Sequence, residues 1–425
     1  MWTMPSLLPS LLLLYGAIIT APLILGSTAP AALSPQQRVE SMVYHAWNNY
    51  MQHAFPADEL RPLTCTPTDP KEFGGLALTL VDSLDTLAVV GNASEFRSAV
   101  ALTCSALSFD ADVNISVFES NIRVLGGLIS AHLIATGHTD TGNPGMVISP
   151  EAGPTSSCLL VLAEDLGRRL LPAFDTPTHL PYGTVNLRHG VPQGETPVTC
   201  VAGAGTFLLE FGALSRLTGD ARFESAARAA NEALWSRRSK YQLLGAHINV
   251  ETGAWTHEDA GVGSFVDSWY EYLLKAYILF GDERDLLMFT EAYVAALRHL
   301  KRGPWYVEVN MLSSQTSWSL FGSLQCFWPA LQTLFGDREQ VRFVVCRFCP
   351  NIPTPLPPPR LLLFFLRLVC PPLPSTRARA HTHTHTRHRA YNTTNTLVLS
   401  SRLLTRCEPL CLFGIFLVLF LSGTT

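Results

Sequence analysis

The sequence is poor in charge, with only 15% Asp, Glu, Lys and Arg among its 425 residues, against 47% apolar residues. That balance excludes a disordered or simple coiled-coil chain and leaves material for a large core. It also lacks a net charge of any size: the −4 at neutral pH offers no general pull on nucleic acid, which is excluded as a partner. Strand-like alternation of apolar and polar residues is scarce between residues 34 and 340. No apolar run reaches the roughly 20 residues that a membrane span requires. Lysine disappears altogether after residue 340, where ten Arg face a single acid, Glu408. Residues 1–340 hold 20 basic and 33 acidic groups, so two unlike segments are joined there.

What is present begins with a short apolar run at residues 11–19, ending near small residues at Gly26 and Ser27. Its length fits an export signal over residues 1–26 better than an anchor. Asn92-Ala-Ser94 and Asn114-Ile-Ser116 then have meaning as N-glycosylation acceptors. Cys65, Cys104, Cys158, Cys200 and Cys326 suit an oxidising lumen, although five is odd and no pairing follows from sequence. The expected location is the lumen of the endoplasmic reticulum.

Helical periodicity recurs through the body. Val39, Met42, Val43, Ala46, Trp47 and Tyr50 form one stripe, and similar stretches cover residues 76–90, 117–134, 159–174, 206–217, 223–235, 266–280, 286–300 and 320–335. Three of these end in Gly-Asp, at Gly219-Asp220, Gly281-Asp282 and Gly336-Asp337. Glycine stops a helix in the left-handed conformation and Asp caps the next one, which makes an antiparallel hairpin. Long returns rich in Gly, Pro and Thr at 177–198 and 245–263 suit a closed toroid better than a solenoid. About ten helices, or five hairpins, are expected.

Carboxylates are the candidate chemistry. Glu119 and Arg123 sit at i, i+4 in a helix that is apolar nearly all round, where burial favours the protonated acid that a general acid needs. The same spacing is also that of an ordinary surface ion pair. Asp267 opens a further helix, in which Ser268 and Glu271 have the spacing of a capping box and Glu271 and Lys275 that of an ion pair. Phe265, Trp269, Tyr270 and Tyr272 around it could form a platform for sugar rings. Asp82 and Asp85 share a helix face, where solvation is as good a reading as function. Gly203 and Gly205 resemble the opening of a dinucleotide fingerprint, but the third glycine is missing and no strand is expected before them.

Five motifs carry a resemblance. They are Asp58-Glu-Leu-Arg-Pro-Leu-Thr-Cys65, Thr79-Leu-Val-Asp-Ser-Leu-Asp-Thr-Leu87, Ser116-Val-Phe-Glu-Ser-Asn-Ile-Arg-Val-Leu-Gly-Gly127, Leu180-Pro-Tyr-Gly-Thr-Val-Asn186 and residues 262–274. In this order, over residues 36–340, they resemble family 47 glycoside hydrolases of the endoplasmic-reticulum degradation-enhancing α-mannosidase-like branch. Gly194-Glu-Thr-Pro-Val-Thr-Cys200 is similar to that branch rather than to the processing mannosidases. The resemblance implies an all-α (α/α)7 toroid, here incomplete, and inverting removal of α-1,2-linked mannose from N-glycans of misfolded glycoproteins. It implies Glu119 as general acid, Asp267 as an acid beside the cleavage point and Arg123 as a sugar contact. Calcium is the implied cofactor, and an oxidoreductase of the same lumen is a further candidate partner.

Residues 341–425 depart from the family. Neither the Arg-Pro-Glu segment that holds the family's base nor its calcium-ligating Thr occurs there, so no metal ligand is assigned and calcium binding is in doubt. Six prolines in residues 350–359 cannot continue a bundle. The alternation His381-Thr-His-Thr-His-Thr386 has the look of a translated dinucleotide repeat, as from a retained intron, more than of a metal site. Cys346-Arg-Phe-Cys349 has redox spacing without a redox fold around it. Five hairpins of seven leave inner faces uncovered, so the expectation is an unstable chain without turnover; a non-catalytic glycan- or client-binding module is the alternative.

Overall fold

A computed structural model describes residues 33–139, 141–148, 155–337 and 339–340. The export signal and the 341–425 segment, with the HisThr repeat and Cys346–Cys349, lie outside the described residues. By their contacts the residues fall into two units, 1–48 and 49–425. In the first, residues 33–48 carry most of the helix Pro35–His53. Its expected stripe is only partly realised: Trp47 is buried, whereas Val39 and Met42 stand exposed. Nothing among the described residues of this unit covers them.

The second unit is built from helical hairpins. Leu84–Val90 packs on Ala93–Ala106, Gly126–Ala135 on Thr155–Leu170, Leu208–Thr218 on Arg222–Ser236, and Asp267–Phe280 on Glu283–His299. The first members of these pairs also pack on one another in sequence order, and Asp267–Phe280 passes the row on to Trp328–Phe335. Hairpins whose first helices touch in succession, with their second helices outside, make the inner and outer layers of an α/α toroid. Five inner helices stand among the described residues.

Sequence composition separates the layers. The inner helix Gly126–Ala135 buries every residue except Leu133, because it is apolar on all sides. The outer helix Arg222–Ser236 instead buries a stripe of Phe223, Ala227, Ala230, Ala233 and Leu234 and turns its charges outward. Gly219, Gly281 and Gly336 close their helices at φ of 78°, 76° and 90°, the left-handed conformation that glycine adopts without a Cβ penalty. Asp220 and Asp282 then accept from the backbone N–H two residues on, at 3.1 and 3.0 Å. The Gly-Asp hairpins are as the sequence predicts.

Elsewhere the elements differ from expectation. The stretch 76–90 breaks at Ser83 into Leu78–Asp82 and Leu84–Val90. The helix Ala93–Ala106 was not signalled by the apolar pattern, yet Asn92 caps it by accepting from Glu95 N–H at 3.1 Å. An Asn followed three residues later by Glu is a start signal, read here only as a sequon. The long returns fold into small antiparallel sheets: Val198–Cys200 with His247–Asn249 and Trp255–His257, and Asp259–Ala260 with Glu308–Asn310 and Thr316–Trp318. Strands of two or three residues are too short to show a period. Cys104 and Cys158 form a disulfide between two outer helices, a pairing the sequence left open, while Cys65, Cys200 and Cys326 have no disulfide among the described residues.

Candidate active site

The strand Asn114–Ser116 pairs with Thr184–Asn186 and leads straight into an inner helix. Ser116 caps that helix, its hydroxyl accepting from Glu119 N–H at 3.2 Å. Between Ser120 and Leu125 the winding loosens to a π-helix, a form seen mostly as short bulges near functional groups. The Glu119 carboxylate accepts from Arg123 Nε at 2.7 Å, and the same guanidinium lies 3.5 Å from Asp82. That approach depends on Gly127: a Cβ there would stand 2.8 Å from the carbonyl oxygen of Val81. The glycine lets the helix lie directly on the turn that carries Asp82.

The second wall is the segment that opens the helix Asp267–Phe280. Phe265 holds φ at 73°, a costly conformation for a bulky residue, and stays half exposed with its ring against His247. Its carbonyl accepts from Ala202 N–H at 2.7 Å, which locks the two segments together. Asp267 accepts from Ser268 N–H at 2.8 Å. Burial pushes the Asp267 carboxyl up to about 6 despite that bond, and the nearby Glu271 adds to the rise. Asp82 and Asp85 are likewise raised to about 6 by burial, Arg123 opposing at Asp82 and the Ser130 hydroxyl at Asp85. Both are therefore inner groups rather than solvated ones.

Glu119, Arg123 and Asp267 line one cleft of about 460 Å³, with Phe118, Phe265 and Cys200 around them. The volume falls within the ~300–1,000 Å³ usual for small-molecule sites. Two further inner acids were missed as a group. Glu271, at the cleft, pairs with Lys275 at 3.3 Å, as its spacing predicts, but both partners are buried. Glu210 is fully buried deeper in the same layer and is raised to about 7 by that burial. It accepts from the Tyr272 hydroxyl at 2.7 Å and from Asn121 Nδ2 at 2.9 Å. A single Glu in an apolar helix was the available signal, but the periodicity alone does not say what it faces.

Three local readings are corrected. The capping box does not form, because the helix starts at Asp267; Ser268 lies inside it and pairs with the Thr206 hydroxyl at 2.8 Å. Trp269, Tyr270 and Tyr272 are core residues, each at most 5% exposed, so of the expected platform Phe265 alone faces the cleft. A strand, Val198–Cys200, does precede Gly203 and Gly205, but in an antiparallel sheet. Gly205 there makes room for the Trp269 ring, which would meet a Cβ at 2.3 Å.

The two sequon asparagines are exposed, Asn92 at a helix start and Asn114 on a strand. Calcium does not fit the donors at hand. The Glu210 and Glu271 carboxylates are engaged by neighbours, and no group of three or more His, Cys, Asp or Glu that could hold a metal occurs among the described residues. No helix among the described residues is long and apolar enough to cross a membrane.

Comparison with known proteins places this geometry. The sequence model of glycosyl hydrolase family 47 matches residues 42–408. Alpha-mannosidase I MNS4 of Arabidopsis thaliana is 55% identical over 302 residues, which are 71% of this chain and 47% of that protein. ER degradation-enhancing alpha-mannosidase-like protein 2 of Homo sapiens is 50% identical over 311 residues, 73% of this chain and 52% of that protein. The chain thus spans about half the length of the curated relatives it matches. Among solved structures, the alpha-1,2-mannosidase from Trichoderma reesei superposes with a TM-score of 0.62 at 24% identity, over 73% of this chain and 66% of that one. That likeness carries the toroidal fold.

Proposed function

Since the chain belongs to glycosyl hydrolase family 47, we propose that its cleft receives an α-1,2-linked mannose of the N-glycans on misfolded glycoproteins in the endoplasmic reticulum. The observation that carries this is the meeting of Glu119 and Asp267, from distant parts of the sequence, on the lining of one cleft. An inverting glycosidase needs a carboxylic acid on one side of the bond and a base-activated water on the other, ~6.5–9.5 Å away. Glu119 supplies the acid side, giving its proton to the glycosidic oxygen, and Arg123 fixes its carboxylate in place. Asp267, a group that keeps its proton up to about pH 6, hydrogen-bonds a hydroxyl of the bound sugar. Phe118 and Phe265 offer apolar surface to the ring faces.

A water-activating base is harder to place. The third lining carboxylate, Glu271, is tied to Lys275, and the family's Arg-Pro-Glu segment does not occur in residues 341–425. We therefore infer that this chain binds its glycan without turning it over. No step is routed through calcium, which the described donors do not fit.

The test is to mix the purified chain with a high-mannose N-glycan and measure both retention and released mannose, with Glu119→Gln alongside. Retention without release supports the reading. Release that disappears in Glu119→Gln would keep the site and refute the lack of turnover; neither retention nor release would refute the site itself.

A further inference from the structure

Beside the cleft lies a second recess of about 300 Å³, lined by Ser264, Glu308, Trp318, Phe321, Leu324 and Gln325 among others. Ser264 and Leu324 line the cleft as well, so the two spaces are continuous. The recess is assembled by the small sheet of the last long return. Glu308 and Trp318 are direct partners in its antiparallel ladder, which sets their side chains next to each other on one face. On the other side of Glu308–Asn310, the strand Asp259–Ala260 runs directly into the segment that carries Phe265 and Asp267.

Its lining combines two kinds of surface. Trp318 is 55% exposed and Phe321 43%, and the Phe321 ring is held edge-on by Trp305 at 5.4 Å. Large aromatics left open beside a cavity are surface that waits for a partner. The polar side is more telling. Gln325 is buried, at 5% exposure, and its Oε1 has no hydrogen-bond partner. Glu308 is half-buried, and burial raises its carboxyl from the ordinary range. Gly261 and Gly263 lie against these two side chains: a Cβ at Gly263 would stand 2.7 Å from Gln325 Cγ, and one at Gly261 3.2 Å from Glu308 Cγ.

We propose that this recess is a second sugar subsite, which holds a mannose residue of the same glycan one or more linkages from the residue in the cleft. The proposal rests on the mannose-binding reading of the cleft and extends it. Sugar hydroxyls are donors, and acceptors here lack them; the apolar face of a pyranose covers an aromatic ring. An apolar peptide segment would cover Trp318 and Phe321 but leave the Gln325 oxygen and the Glu308 carboxylate without donors, at a cost.

The experiment is calorimetric titration of the Glu119→Gln chain with α-1,2-mannobiose and with a free high-mannose oligosaccharide. The oligosaccharide is expected to bind about tenfold tighter than the disaccharide. Trp318→Ala and Glu308→Ala are each expected to remove that advantage and leave disaccharide binding unchanged, while Trp318→Tyr keeps it. Circular dichroism melting checks that the variants fold; Trp318 is exposed enough to be replaced safely. Oligosaccharide binding that is unchanged in Trp318→Ala and Glu308→Ala overturns the subsite and leaves the cleft reading standing. Binding of neither sugar overturns both. Retention of a permanently unfolded, unglycosylated polypeptide, lost in Trp318→Ala, would make the recess a peptide dock and also overturn the proposal.

Discussion

Tyr272 donates its hydroxyl to Glu210 at 2.7 Å in the seam between two inner helices, where neither side chain meets water. A carboxylate in that seam has lost its hydration, and its carboxyl rises from 4.5 to about 7. Asp82, Asp85 and Asp267 are raised to about 6 for the same reason. All four hold their protons more tightly folded than unfolded, so the folded chain carries the excess between about pH 4 and pH 7. Their contribution to stability is therefore complete below the ordinary carboxylate range and lost as pH rises through 6 and 7. Glu210 alone accounts for about 3 kcal/mol of that slope. Melting at pH 5 and pH 8 checks it: Glu210→Gln is expected to flatten the difference, and an unchanged slope would refute the assignment.

The sequence made the hairpins legible because their punctuation is local. Gly219, Gly281 and Gly336 are needed at a left-handed position, and each is followed by an Asp with a nearby N–H to accept from. Glu119, Arg123 and Asp267 were legible through family motifs. Their meeting in one cleft was not, since it depends on inner helices far apart in sequence coming together. The aromatic cluster after Asp267 misled for a related reason: at an inner helix every face is covered, so Trp269 and Tyr272 are core although they adjoin a site residue. The small sheets were hidden by their length, and with them the recess at Trp318.

Gly127 offers a test of how the inner layer is closed. Its missing side chain admits the Val81 carbonyl, a backbone atom that cannot swing aside as a side-chain end would. Gly127→Ala is expected to destabilise by about 1–3 kcal/mol through overpacking, although alanine has the better helix propensity. Urea unfolding decides between the two effects; a stabilised variant would mean that the helices slide apart at little cost. Gly91→Ala, with open space around its Cβ but a φ of 97°, is a control for backbone strain alone.

The Cys104–Cys158 disulfide closes a loop of 54 residues between two outer helices. Constraining a loop of that length in the unfolded chain is worth about 4 kcal/mol in the loop-closure picture. The pair Cys104→Ser with Cys158→Ser is expected to lower the denaturant midpoint accordingly. Reduction of the wild-type chain with dithiothreitol should reproduce the shift. The two perturbations share the loss of one cross-link, so disagreement between them would point to another redox-sensitive cysteine.

Arg123 serves two carboxylates at once, Glu119 at 2.7 Å and Asp82 at 3.5 Å, and a planar guanidinium is suited to that division as an ammonium is not. Arg123→Lys keeps the charge but can serve one partner well. It is expected to keep the fold and to weaken mannobiose binding by about 1–3 kcal/mol, the worth of a charged hydrogen bond in a half-buried site. Arg123→Met removes the charge as well. Asp82, already raised by burial with the arginine opposing, then rises further and holds its proton at neutral pH. The folded form gains a proton relative to the unfolded one, so this variant is expected to lose more stability at pH 8 than at pH 5. Melting at the two pH values, with titration of mannobiose at each, separates the roles. An equal loss of stability at both would show that Arg123 contributes packing rather than charge, and binding equal to wild type would remove it from the site.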